Sequence, residues 1–115
     1  MITAKQRKTV YERDGGRCVH CGAWDALTIQ HRASRGMGGS KAAERFSNWL
    51  TLCLVSNTRL EADAEFARLG RDRGWKVSRN GILTPAEVPV IDYQGRSWLL
   101  DDNGGRSLVS AQIGA

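Results

Sequence analysis

Leu27-Thr28-Ile29-Gln30-His31 is the stretch whose reading decides the fold. Its β-prone residues alternate in polarity, which predicts a strand ending on His31. Just upstream, Cys18-Val19-His20-Cys21-Gly22 reads as a knuckle-like turn, so the two segments together predict a hairpin whose second strand delivers His31. Just downstream, Arg35-Gly36-Met37-Gly38-Gly39-Ser40 is a glycine-rich loop, extended by polar residues to Ser47. A loop of that length is a functional candidate rather than a plain connector. Asn48 to Leu54 is apolar and is expected to pack under the hairpin. Ser56 is the expected N-cap of a helix from Asn57 to Leu69, with Leu60, Ala64 and Ala67 on one face and Gly70 near its end.

The flanks are simpler. Thr3 followed by Gln6 has the form of a capping box and predicts a helix from Ala4 to Arg13, with Val10 inward and Asp14-Gly15-Gly16 as its stop. In the tail, Trp75 to Ser78 reads as a short strand and Thr84 to Val90 as extended chain punctuated by two prolines. Ser97 to Gly105 reads as a strand and a turn, and about the last ten residues as frayed.

A chain of 115 residues supports one domain with a modest core, for which a structural metal would be a useful staple. The net charge of +5 favours a polyanionic partner only slightly over a plain solvated surface. No apolar run is long enough to cross a membrane and the N-terminus has no hydrophobic signal core, so a cytoplasmic location is expected. Three cysteines in a reducing compartment argue against a disulfide framework and for metal ligation or burial.

Cys18-x2-Cys21 places two thiolates on one side of a turn, and Cys53 is a natural third ligand for structural Zn²⁺. Ser56 stands where a fourth cysteine would complete the set and is a poor zinc ligand at neutral pH. The ring of His20 is expected to point away from the metal. Zinc and a metal-free cluster of buried thiols are evenly balanced alternatives. A redox pair is weaker, because no βαβ pattern surrounds it.

His31 has two readings: a strand histidine satisfied by a backbone partner, or a general base. Its place at a strand end, next to Arg32 and Arg35 and a glycine-rich loop, favours the second. Two arginines there would clamp phosphates, and glycines would let the backbone approach a duplex.

The run from Gln30 to Ser40 resembles the core of phage-encoded HNH endonucleases. Arg13 to Gly22 resembles that family's first zinc knuckle, and Ser47-Asn48-Trp49-Leu50-Thr51-Leu52-Cys53 its asparagine-containing segment. Pro85 to Val90 and Trp98 to Asp102 resemble the C-terminal extension of actinobacteriophage members. The likeness runs from about Arg13 to Gly105. The fold it implies is α+β, with residues 1–70 forming a small ββα-metal (His-Me finger) core and its N-terminal helix. Residues 71–115 would form a short-strand extension packed on the same single domain.

The resemblance also implies roles. His31 would be the general base that deprotonates the attacking water, and Asn48 would hold the loop and orient it. Gln30 and Asn57, in an HNN-like variant, would hold a catalytic Mg²⁺ or Mn²⁺. Arg32, Arg35, Lys41 and Arg45 would contact DNA. Gln30 stands where the family has histidine or aspartate, and Asn57 where histidine is common, so the ion would be held weakly. Glu61 matches a glutamate that often follows the final histidine, although an ordinary exposed helix charge is the better reading. The implied activity is cleavage or nicking of double-stranded DNA, as a homodimer or by sequential nicks, in the host cytoplasm and beside phage terminase or other packaging proteins. The alternative is a weakened HNH-derived module that binds DNA or assists packaging without cutting.

Overall fold

The computed structural model describes residues 2–34, 43–78 and 81–110. Helix α1 spans Ala4–Arg13 as its capping box predicts: Thr3 Oγ1 accepts from Gln6 N at 3.1 Å and Gln6 Oε1 from Thr3 N at 2.8 Å. Val10 is fully buried. At the end of the helix, Arg13 and its C-cap Asp14 form a buried pair at 2.8 Å. Arg13 also donates to Phe46 O and Trp49 O, and Asp14 Oδ2 accepts from Thr51 N, which ties α1 to the strand beneath it.

Strand β1 is Leu27–His31, as read from its alternation. Its partner is not the knuckle. β1 pairs antiparallel with β2, Trp49–Cys53, so that Leu27 faces Cys53 and His31 faces Trp49. His31 therefore closes the first strand of the hairpin, not the second. The apolar segment expected only to pack underneath is itself the second strand. All five of its residues are buried, and a strand covered on both faces shows no alternation.

The single helix expected from Asn57 to Leu69 is two. Cys53, not Ser56, caps α2 at Leu54–Ala62, and its Sγ accepts from Ser56 N. Asp63 then adopts an extended conformation and caps α3, Ala64–Asp72, by accepting from Glu65 N and Phe66 N. The break re-aims the second half, so Phe66 and Gly70 are buried while Ala64 is exposed.

The tail forms a three-stranded antiparallel sheet in the order β3 (Val90–Ile91), β4 (Ser97–Leu100), β5 (Arg106–Ser110). Part of the segment expected to fray is thus a paired strand. Trp75–Ser78 is not a strand: Trp75 is instead fully buried and donates its indole N–H to Ile91 O at 2.9 Å. The preceding Gly74 has φ +79°, and a Cβ there would lie 1.9 Å from Pro89 O, so only glycine fits. The described residues form a small α+β domain with three α-helices and two small sheets. Val90 and Leu100 of the second sheet share one core with Leu50, Leu52, Leu60, Phe66 and Trp75.

Candidate functional site

The hairpin carries functional groups at both ends. At the Leu27–Cys53 end lies the cysteine cluster. The knuckle is closed by Cys18 N donating to Ala23 O and Gly22 N donating to Cys18 O. Gly22 has φ +78° and lies under the ring of Tyr93, 2.9 Å from where a Cβ would sit. This turn and the β2–α2 junction bring the Sγ atoms of Cys18, Cys21 and Cys53 within 4.8 Å of one another, with Cys21 and Cys53 at 3.8 Å. Tetrahedral Zn–S bonds of about 2.3 Å place sulfurs about 3.8 Å apart, so the donor set fits a metal ion such as zinc. The thiols form no disulfide.

Ser56 occupies the corner next to these sulfurs, its Oγ 3.3 Å from Cys53 Sγ and 3.6 Å from Cys18 Sγ. His20 is not grouped with the three sulfurs as a ligand, but it reaches the serine beside them. Its Nδ1 is 2.8 Å from Ser56 Oγ, and its ring packs against Phe66 and Trp75 at 4.7 and 5.0 Å. Burial, then the charges of Arg59 and Arg73, hold the His20 imidazolium pKa below its ordinary value. Burial raises the Cys53 thiol, but hydrogen bonds from the Ser56 hydroxyl and amide, with the two neighbouring thiols, outweigh it and leave Cys53 below the usual value. Cys21 is raised, chiefly by burial.

At the opposite end, His31 is half-buried with its Nε2 3.4 Å from Glu44 Oε1. Below it, Asn48 is fully buried and every polar atom of its amide is engaged. Its Oδ1 accepts from Ala33 N at 2.7 Å, and its Nδ2 donates to Ala33 O and Ala43 O at 3.0 and 2.9 Å. Its backbone carbonyl accepts from Arg32 N. One side chain thus fastens both ends of the 34–42 connection beside the strand end that carries His31.

The expected ion ligands are less convergent. Gln30 is buried at 5% exposure on the face opposite His31, beside Leu50. Asn57 donates Nδ2 to Thr28 Oγ1 at 2.8 Å, which commits half of its amide to the strand. Glu61 is exposed. Among the described residues, the three cysteines are the one group of three or more histidine, cysteine or acidic side chains placed to hold a metal.

Of the expected DNA contacts, Arg32 is corrected outright. It is 1% exposed and donates to four backbone carbonyls: Nε to Gly74, Nη1 to Ser47 and Pro85, and Nη2 to Val88, all at 2.6 to 2.8 Å. Burial, with Arg13 adding, pushes its pKa down to about 9, so it stays cationic at neutral pH as an internal brace that no phosphate reaches. Arg45 is exposed and pairs with Asp102 at 3.5 Å. Arg35, Lys41 and the glycine-rich loop lie outside the described residues.

One residue, Glu44, escaped the sequence reading, and the surroundings of His20 were not foreseen. Glu44 sits in a polar stretch with no periodicity to single it out, and only closure of the hairpin sets it opposite His31. His20 had a local signal, its place inside Cys-x2-Cys. Its orientation is fixed by Phe66 and Trp75, more than forty residues away. No family model, curated relative or solved structure matches the chain.

Proposed function

We propose that this protein is a metal-dependent DNA endonuclease or nickase of the HNH type, built on a ββα-metal finger with a structural zinc at its base. The observation that carries the reading is His31 at the end of β1, facing Glu44 across 3.4 Å and flanked by the Asn48 clamp. The order β1–β2–α2, with a three-cysteine cluster at the opposite end of the hairpin, supports it.

The chemistry follows from the imidazole. A neutral ring has one N–H and one lone pair. With the Nε2 proton toward Glu44, Nδ1 is left to take a proton from a water attacking phosphorus. Asn48 keeps the strand end and loop in register while that proton moves. Mg²⁺ or Mn²⁺, when bound, supplies Lewis-acid stabilisation of the scissile phosphate and its leaving oxygen. Gln30 and Asn57 do not by themselves form a site for it, being neutral and, for Asn57, half committed to Thr28. The ion's hold would depend on the DNA phosphate and water, while Glu44 serves as the partner of His31. Arg45 at the rim, and Arg35 and Lys41 from the loop, are the candidate backbone contacts. The partners implied are double-stranded DNA, a second copy for double-strand cutting, and phage packaging proteins such as terminase.

A second reading has its own observation. Gln30 is buried and Arg32 is withdrawn into an internal brace, so two of the residues expected to engage ion and phosphate are unavailable to them. That favours a DNA-binding or packaging accessory that does not cut. Nicking of supercoiled plasmid separates the two. The nuclease reading expects relaxed product with Mg²⁺ or Mn²⁺, and its loss with chelator, in His31→Ala and in Glu44→Gln. Cleavage that survives His31→Ala sinks the assignment, and binding without nicking under every metal establishes the accessory role.

A further inference from the structure

Separate from the cysteine cluster and the His31 corner, the end of α1, the knuckle and the β3–β4 turn enclose a polar concavity of about 130 Å³. Its charged lining is Asp14, Asp92, Arg17, Arg96 and Arg106. Both carboxylates are engaged mainly by hydrogen bonds from within the fold. Asp14 accepts from Arg13 Nε, Arg13 Nη2 and Thr51 N. Asp92 accepts from the amides of Gln94 and Arg96 and from the indole of Trp98.

The three guanidiniums are not spent. The Arg106 guanidinium lies over its anchor, its Cζ 3.7 Å from the Trp98 ring centroid, and that of Arg17 lies 4.7 Å from the Trp24 centroid while giving one donor to Gly22 O. Stacking holds a guanidinium by its face and leaves its in-plane N–H groups for a ligand. Among the described residues, the side chains of Arg96 and Arg106 make no hydrogen bond or ion pair. Burial holds the pKa of Arg106 below its ordinary value, against the opposing pull of Asp14 and Asp92, so an anion here would relieve an under-solvated cation.

We propose that this concavity is an oxyanion site that takes a phosphate group on Arg17, Arg96 and Arg106. Guanidiniums held in advance on aromatic faces, as Arg17 and Arg106 are, lose less freedom on binding, and charge-assisted bonds to phosphate are the strong ones. The phosphate has two sources, a small phosphate ligand or the backbone of a nucleic acid. The proposal does not depend on what His31 does.

The test is an NMR titration of the full chain that follows the arginine Nε–H signals, first with inorganic phosphate at constant ionic strength and then with a short DNA duplex. The expected result is saturable shifts at Arg96 and Arg106. Arg96→Gln, which removes no internal hydrogen bond, should weaken binding about tenfold or more. Lys8→Gln, an equal loss of charge on exposed α1, should leave it unchanged. If the duplex shifts the same arginines and inorganic phosphate competes, the site reads a nucleic-acid backbone. If only inorganic phosphate saturates them, it takes a small ligand. Absence of saturable shifts with either probe overturns the proposal, as does Lys8→Gln weakening binding as much as Arg96→Gln.

Discussion

The two ends of one hairpin have been built to different standards of convergence. At the Cys53 end, three sulfurs gather around the Ser56 corner and the His20 imidazole reaches the Ser56 hydroxyl, each placed by a turn, a helix start or an aromatic wall. At the His31 end the backbone is fastened just as firmly by Asn48, yet the side chains do not converge. Gln30 is turned inward, Asn57 is tied to Thr28, and among the described residues Glu44 is the one acidic group that faces the histidine. The difference teaches that a rigid scaffold and a strong metal site are separate achievements. Among the described residues the protein has the first at both ends, and a donor set that could hold a metal ion only at the base of the hairpin.

The largest expected effect comes from breaking the convergent end. Cys18→Ser removes a fully buried sulfur from the cluster. If the cluster holds zinc, metal binding is folding free energy, and the loss should be on the order of 5 kcal/mol or more with stoichiometric zinc gone by elemental analysis. A variant that keeps its melting temperature, from a wild type purified without zinc, would make the cysteines a buried cluster only.

Asn48→Ala probes the other end. It strands the amide and carbonyl of Ala33 and the carbonyl of Ala43, which should cost roughly 3 kcal/mol in denaturant melts. It should also abolish plasmid nicking under conditions where the variant is still folded. Nicking at the wild-type rate would show that the clamp does not position His31.

The smallest effect is at the rim. Arg45 and Asp102 form an exposed pair, so Arg45→Ala should change stability by less than about 1 kcal/mol. Any contribution of Asp102 has a defined pH sense. Burial raises its pKa, but hydrogen bonds from Ser47 and the pairing with Arg45 outweigh this and leave it below the usual carboxylate value. The folded state therefore gains from the ionised form above about pH 4, and that gain is lost as the pH falls through the lowered value. The Arg45→Ala difference should shrink on acidification, whereas a difference that grows would reverse the assignment. If Arg45 touches DNA, the same variant should flatten the salt dependence of binding by about one phosphate.

Sequence made some of this plain and hid the rest for physical reasons. The Thr3–Gln6 box and the alternation of Leu27–His31 are local signals, and both elements appear where they point. β2 was hidden because burial on both faces erases the period-two pattern. The break between α2 and α3 had a signal in Asp63, a good capping residue, but the apolar spacing runs on through it. The cysteines announced their cluster by spacing, whereas Glu44 and the aromatic wall behind His20 depend on contacts across the fold that no local pattern encodes. Arg32 misled for a related reason: an arginine beside a candidate base looks like a phosphate clamp until distant carbonyls are seen to claim it.

That brace bears on how far the first seventy residues can be moved as a unit. Of the four carbonyls that receive Arg32, three belong to Gly74, Pro85 and Val88, and only Ser47 lies in the first part of the chain. A chain cut after residue 70 would keep a buried cation and discard most of its acceptors, one of the costlier defects a protein interior can carry. The hairpin and the C-terminal sheet therefore travel together, and grafting the hairpin onto another scaffold would require replacing Arg32 first.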